Sequence, residues 1–408
     1  MMKRVVITGM GLVTPLGIGR KTVAQNLVAG ECGISPIERF DTASLGCHLG
    51  GEVRDFSPMD FISPGTFRRM DRLSQMVTAA ARMAVEDAGV DLTAVDRTRI
   101  GIVMGTAYGA TDVATQFAGT LFTEGPRRVN PILVPNTVMN APAGHAAIEL
   151  GLKGINSTVN HREASAETAL AYAAMQIRLG RADVILAGGG DTISPFFITV
   201  LERFRALSPQ GGGEEMARPF DRNRNGPVIG EGAALLCLES LDSALERGAR
   251  IYGEIAGWGM ASAPAPVNDW PDDPAGMILA MQKAMTMAAV SPAEIDAVFA
   301  AASGGVRSDR LEARALDHIF GQVGQPSRPV VTAIKGALGE NFASGGIRSA
   351  ALALAMHDGR VPPTLGLASS ILTLDVVTSK ARKMDVCYGL INGCASSGTF
   401  VSLLLRKM

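Results

Sequence analysis

The chain reads as an α/β protein of two similar halves, with sheets covered on their faces by helices. Three observations predict this. Apolar runs at 5–8, 100–104, 184–187 and 233–239 read as strands, and they alternate with 22–29, 74–88 and 164–179, which read as helices. Such alternation implies layers of helix on sheet. Segment 81–106 runs helix, Ala-Gly-Val, spacer and strand, ending in Met-Gly-Thr; segment 281–304 repeats that plan with Ala-Ala-Val and Ser-Pro-Ala-Glu before a strand at 297–300. The composition, 47% hydrophobic, 19% charged and with 47 glycines, suits closely packed helices and argues against disorder.

Individual elements have local reasons. The helix at 74–88 has apolar positions at helical spacing and is closed by Gly89, the residue that best takes a left-handed cap. Gly9-Met10-Gly11 and Gly188-Gly189-Gly190 follow strands and read as tight turns, because neither has the GxGxxG order of a dinucleotide loop. The halves divide into residues 1–250 and 251–408, where a charged helix end near 246 gives way to a strand. The most loop-like stretches are 263–266 and 268–274.

Composition also bounds the function. A formal net charge of −1 over 408 residues offers no global attraction to nucleic acid or to an anionic membrane. No apolar run approaches the roughly 20 residues that span a bilayer. The start of the chain shows no leader pattern, so a soluble cytoplasmic protein is expected. The five cysteines form no CxxC pair, which fits a reducing compartment; Cys237 and Cys387 lie in apolar runs and are expected to be buried thiols. His48, His145, His161, His318 and His357 show no metal spacing, so neither a metal nor a cofactor is expected.

Several motifs occur in one order along nearly the whole chain. They are Arg4-Val5-Val6-Ile7-Thr8-Gly9-Met10-Gly11 continuing to Gly17, then Arg69-Met70-Asp71-Arg72-Leu73-Ser74-Gln75, and Arg218-Pro219-Phe220-Asp221-Arg222 followed by Gly230-Glu231-Gly232-Ala233. Together they resemble the ketosynthase family, and beta-ketoacyl-ACP synthase II in particular. The resemblance implies a thiolase-like, five-layered αβαβα fold of two similar halves, normally dimeric.

The same resemblance exposes four altered or retained positions. Glu163 stands where the family carries its nucleophilic cysteine, Ala301 and Glu340 stand where it carries two histidines, and Lys335 is kept. The turn 392–398 departs from the family's gating turn. A carboxylate cannot hold the acyl thioester that condensation requires. Glu163 and Glu340 together would also repel a malonyl carboxylate. The family includes a member lacking the nucleophile: the chain-length factor, or ketosynthase beta subunit, of type II polyketide systems. The resemblance therefore implies a subunit without catalysis of its own. It would form a heterodimer with a cysteine-bearing ketosynthase alpha subunit, meet acyl carrier protein through that partner, and shape its polyketide or polyene tunnel. The alternative is an independent enzyme with Glu163 as acid or base in hydrolysis, cyclisation or decarboxylation of an acyl thioester; a further one is a homodimeric binder of acyl carrier protein.

Glu163 also has a structural reading, since a carboxylate before the helix at 164–179 gains from free N–H groups, and Lys335 is placed to neutralise it or Glu340. Tyr108, Thr111, Asp112, Thr115, Gln116 and Phe117 fall in the segment that, by the resemblance, crosses to the partner. On a helix beginning near Gly109, Asp112 and Gln116 share a face. Tyr108 and Phe117 would be bulky stops in the partner's tunnel, or else ordinary packing. Arg68, Arg69 and Arg72 read as a solvated helix face or as contacts to an acidic carrier protein. His145 reads as a packed helix residue rather than a ligand.

Overall fold

The computed structural model describes residues 2–266, 269–321 and 328–408. Ten strands form the spine of an eleven-stranded sheet. They are β1 (Val5–Thr14), β2 (Ile100–Gly105), β3 (Asn156–Val159), β4 (Val184–Asp191), β5 (Gly232–Ser240), β6 (Gly253–Ser262), β7 (Ala297–Phe299), β8 (Val330–Thr332), β9 (Tyr388–Ala395) and β10 (Thr399–Arg406). Their spatial order is β8-β7-β9-β10-β6-β1-β5-β4-β2-β3. The order is symmetric about the β1–β6 junction, where Val6 pairs with Glu254 and Ile7 with Gly253. On one side β1, β5 and β4 run antiparallel and β4, β2 and β3 parallel. On the other, β6, β10 and β9 are antiparallel and β9, β7 and β8 parallel. The two halves share one topology.

Eight helices matter for the site: α1 (Arg72–Ala88), α2 (Thr111–Glu124), α3 (Ala141–Leu150), α4 (Ser165–Arg178), α5 (Pro195–Arg203), α6 (Ala275–Ala288), α7 (Val306–Phe320) and α8 (Gly345–Asp358). Helices α1 and α3 cover the outer face of the first half-sheet, and α6 with α7 the outer face of the second. Between the half-sheets lie α4 and α8, which pack on strands of both. These are the five layers of the thiolase-like fold. Both central helices are buried around most of their circumference, and alanine dominates them because little room separates two sheets.

Glycines allow the closest approaches, and there the structure corrects two expected turns. Strand β1 runs straight through Gly9-Met10-Gly11, because α1 lies on it: a Cβ on Gly11 would sit 1.9 Å from the Ala80 carbonyl oxygen. The other half repeats the device, with a Cβ on Gly259 falling 2.0 Å from the Ala280 carbonyl oxygen of α6. Likewise β4 continues through Gly188-Gly189-Gly190 to Asp191, since neighbouring backbone leaves no space for side chains. These glycines serve packing rather than turning.

Other expectations shift by smaller amounts. Helix α1 starts at Arg72, where Asp71 accepts the Ser74 N–H as its N-cap. Cys237 is buried but Cys387 is exposed, because it lies just outside β9, beside Asp385 near the chain end. Residues 263–266 and 269–274 are irregular up to the start of α6, and Asn268 lies outside the described residues. Among the described residues no helix is long and apolar enough to cross a membrane.

Candidate functional site

The site lies where the N-terminal turn of α4 meets the β9–β10 turn. After β3 the chain enters a 3-10 turn, Arg162–Ala164, with Arg162 at φ 50°, a left-handed conformation that non-glycine residues seldom adopt. This presents Glu163 at the head of α4. Its carboxylate accepts the Ser396 N–H at 3.0 Å and the Ser396 hydroxyl at 3.2 Å. Burial pushes the Glu163 carboxyl above its usual range and the Glu340 charge adds to that, while its own N–H, Arg162 and the Ser396 N–H pull it down.

Lys335 and Glu340 face the same space. Lys335 opens a short helix, Lys335–Leu338, and its ammonium donates to both Glu340 oxygens, at 2.7 and 2.8 Å. Gly339, at φ 77°, turns the chain between them. Of the two neutralisations left open by the sequence, the one made is Lys335 with Glu340; the direct hydrogen-bonding partner of Glu163 is Ser396. Ala301 sits just past β7, where its N–H donates to Glu312 at 3.0 Å. Glu312, on α7, also accepts from Asn392 at 3.1 Å, and burial pushes its pKa up to about 7.

These side chains line a cavity of about 410 Å³, a size that small-molecule sites commonly have. Tyr108 forms part of its wall. Its ring lies 4.1 Å from that of Phe197 and 5.0 Å from that of Phe342, and burial raises its hydroxyl to about 12. Cys394 also lines the cavity, which the sequence reading missed; its place in the altered turn 392–398 was the available signal. Burial, with Glu312 and Glu163 nearby, pushes its thiol well above the ordinary cysteine range, so it stays protonated. Among the described residues, no histidine lines the cavity and no cluster of His, Cys, Asp and Glu is placed to hold a metal.

The remaining candidates are spread along α2. It starts at Thr111, two residues beyond Gly109, and Val113 is its buried residue. Asp112 is half-buried, 3.9 Å from Arg39, whereas Thr115 and Gln116 are exposed and Thr111 and Phe117 half-buried. The face expected to hold Asp112 and Gln116 together is thus half covered and half open. Exposed apolar side chains include Phe122 on α2, Ile132 and Val134 in the 131–136 turn that contacts α2, and Ile148 on α3, which packs on the edge strand β3.

Two buried carboxylates, Glu167 and Glu231, have arginine partners that had no local signature. Arg348 of α8 donates to Glu167 of α4 and to the Asn392 carbonyl, with both charged side chains almost wholly buried. Arg72 is not part of a solvated face: with Arg39 it grips Glu231, at 2.6 and 2.7 Å, while Arg68 and Arg69 are exposed. His145 packs on α3 with its ring nitrogen 2.6 Å from the Asn136 side chain.

Comparison with known proteins agrees with this architecture. Residues 2–244 match the model of the beta-ketoacyl synthase N-terminal domain and residues 252–368 that of its C-terminal domain. The 3-oxoacyl-(acyl-carrier-protein) synthase 2 of Staphylococcus aureus (strain COL) is 34% identical over 415 residues, covering 99% of this chain and 98% of the relative. The enzyme of the same name from Vibrio harveyi is 31% identical over 411 residues, covering 100% and 99%. Among solved structures, the ishigamide ketosynthase/chain length factor superposes with a TM-score of 0.92 at 32% identity, covering both chains fully. A type II polyketide synthase acyl-carrier protein in complex with its ketosynthase, bound to the hexaketide, gives 0.91 at 26%, again with full coverage. The chain belongs to the beta-ketoacyl synthase family.

Proposed function

We propose that this chain is a chain-length factor that pairs with a cysteine-bearing ketosynthase and shapes that partner's acyl tunnel. One observation carries the reading: the turn that would deliver a thiolate delivers Glu163 instead, tied to Ser396. The partner would supply the cysteine, both histidines and the exchange with acyl carrier protein. The Ala301 side chain has no group to donate, and the Lys335 ammonium is engaged by Glu340, so condensation has neither its nucleophile nor its enolate-stabilising donors here. Two further facts support pairing. The solved ketosynthase/chain length factor is similar along the whole chain. An apolar surface such as that around α2 is of the kind that marks an interface. A cytoplasmic location follows from the same reading.

A second reading rests on the cavity, which is large enough for a ligand and holds a carboxyl with a raised pKa. On that reading the chain acts alone on an acyl thioester with Glu163 as acid or base. Native mass spectrometry of the chain, alone and co-expressed with the ketosynthase encoded beside it, separates the two. A one-to-one complex with the ketosynthase supports the chain-length factor; a homodimer indifferent to it directs attention to Glu163 as a catalytic group.

A further inference from the structure

Helix α2 packs along one side against the 131–136 turn and α5, and its other side is open. Val113 is buried, Thr115 and Gln116 are exposed, and Phe122 toward the far end is 85% exposed. At its root a separate constraint acts, because there the loop Thr106–Gly109 wraps a single buried carboxylate. Asp191, the last residue of β4, accepts the Thr106 hydroxyl at 2.7 Å and the N–H groups of Ala107, Tyr108 and Gly109 at 3.1, 3.0 and 3.3 Å. It also accepts the Ala343 N–H at 3.0 Å, from the segment just past Glu340. The Thr106 hydroxyl in turn accepts the Gly109 N–H at 2.9 Å. Outside this ring, the Thr106 N–H donates to Val159 and the Ala107 carbonyl accepts from Asn160. The loop is a bracket with its polar groups engaged.

Leverage makes the bracket matter. A helix of 14 residues is about 21 Å long at the usual rise, so a tilt of about 10° at the root moves the far end by about 4 Å. That distance is comparable to the reach of the side chains that would meet a substrate.

We propose that Asp191 is the positioning residue that aims α2, and so sets how far its side chains enter the partner's tunnel to meet the distal end of the growing acyl chain. This rests on the chain-length-factor reading. The test uses the co-expressed complex with carrier protein and malonyl supply. Native mass spectrometry reads assembly, and the product-length distribution is read in parallel. Thr106→Val removes the hydroxyl from the ring at nearly constant volume, Thr106→Ser restores it, and Asp191→Asn replaces an all-acceptor group with one that donates. With assembly intact, Thr106→Val should broaden the distribution and lower the share of the dominant length at least threefold. Thr106→Ser should recover it, and Asp191→Asn should shift it further in the same direction. An assembled Thr106→Val complex with the wild-type distribution overturns the proposal, whether or not Asp191→Asn folds. If the wild-type chain forms no complex with the ketosynthase, the chain-length reading itself falls, and this inference with it.

Discussion

The Ser396 N–H donates to the Glu163 carboxylate at 3.0 Å across 233 residues of sequence, tying the head of α4 to the β9–β10 turn. Both ends of this contact are buried, so each is costly to leave without a partner. The bond makes Glu163 a brace between the two halves. A brace needs an acceptor, not a charge. Glu163→Gln keeps a carbonyl for Ser396 and should change unfolding free energy by less than about 1 kcal/mol. Glu163→Ala leaves a buried N–H without a partner and should cost about 1–3 kcal/mol. Urea titrations of the two variants check this; equal losses would mean that the charge, rather than the acceptor, is what matters.

Glu312 predicts a dependence on pH. Burial lifts its pKa from an ordinary 4.5 to about 7, with the neighbouring Asp309 charge pushing the same way and Ala301, Asn392 and Arg348 pulling against it. A carboxyl raised in this way holds its proton more tightly in the folded state than in the unfolded one. The stability it supports is complete below about pH 4.5 and is lost as pH rises through about 7. The loss is on the order of 3 kcal/mol. Glu163 is raised by burial too, so its ionisation works in the same direction. Glu312→Gln should flatten the curve relative to wild type; an unchanged slope between pH 5 and 8 would show that Glu312 does not carry it.

The thiols give a direct check on the cavity. Cys32 and Cys387 are exposed and should be alkylated first in the native protein, whereas Cys394 should stay unmodified until unfolding because it is buried and protonated. Peptide mass mapping after brief iodoacetamide treatment reads this. Rapid modification of Cys394 would reopen the question of a nucleophile in the cavity.

Much of this was legible because it is local. The motifs between Arg4 and Gly17 and around Glu231 point to the fold, and the resemblance they carry implies that Glu163, Ala301 and Glu340 stand where the family has reactive groups. The repeat at 81–106 and 281–304 corresponds to α1–β2 and α6–β7, equivalent elements on the two sides of the β1–β6 junction. What escaped depends on distant segments meeting. Gly9 and Gly188 read as turns because a sequence does not display the helix or strand that needs their missing side chains. Arg72 read as surface because Glu231 lies 159 residues away. Ser396 was visible only as part of an altered turn, and nothing local marked it as the partner of Glu163.

The Glu167–Arg348 pair joins the two central helices and should behave as a buried ion pair does. Removing one partner strands the other charge, so Arg348→Met should cost about 3–5 kcal/mol. Adding Glu167→Leu should recover much of that, because the second charge then no longer needs a counter-ion. A double-mutant cycle by denaturant melting gives the coupling. Additive losses would mean that the two side chains act separately.

Tyr108 and Phe117 are separated by their surroundings. Tyr108 packs between Phe197 and Phe342 in the wall of this chain's own cavity, so Tyr108→Ala removes a ring from an aromatic cluster and should cost about 3 kcal/mol, at the low end of aromatic truncations. Phe117 is half-buried on α2 and outside that aromatic cluster, so Phe117→Ala should lower the thermal midpoint of the isolated chain by less than Tyr108→Ala does. On the chain-length-factor reading, the two also differ in what they do to product. Phe117→Ala frees volume where α2 would meet the partner's tunnel and should lengthen the acyl chain released by the complex. Tyr108→Ala should act mainly through stability, and any change in product length should track loss of the complex. Mass spectrometry of products, normalised to assembled heterodimer, reads both. A Phe117→Ala complex that assembles fully and releases chains of unchanged length would remove Phe117 from the tunnel floor. A Tyr108→Ala complex that stays intact and lengthens its product would move that role to the other side of the loop.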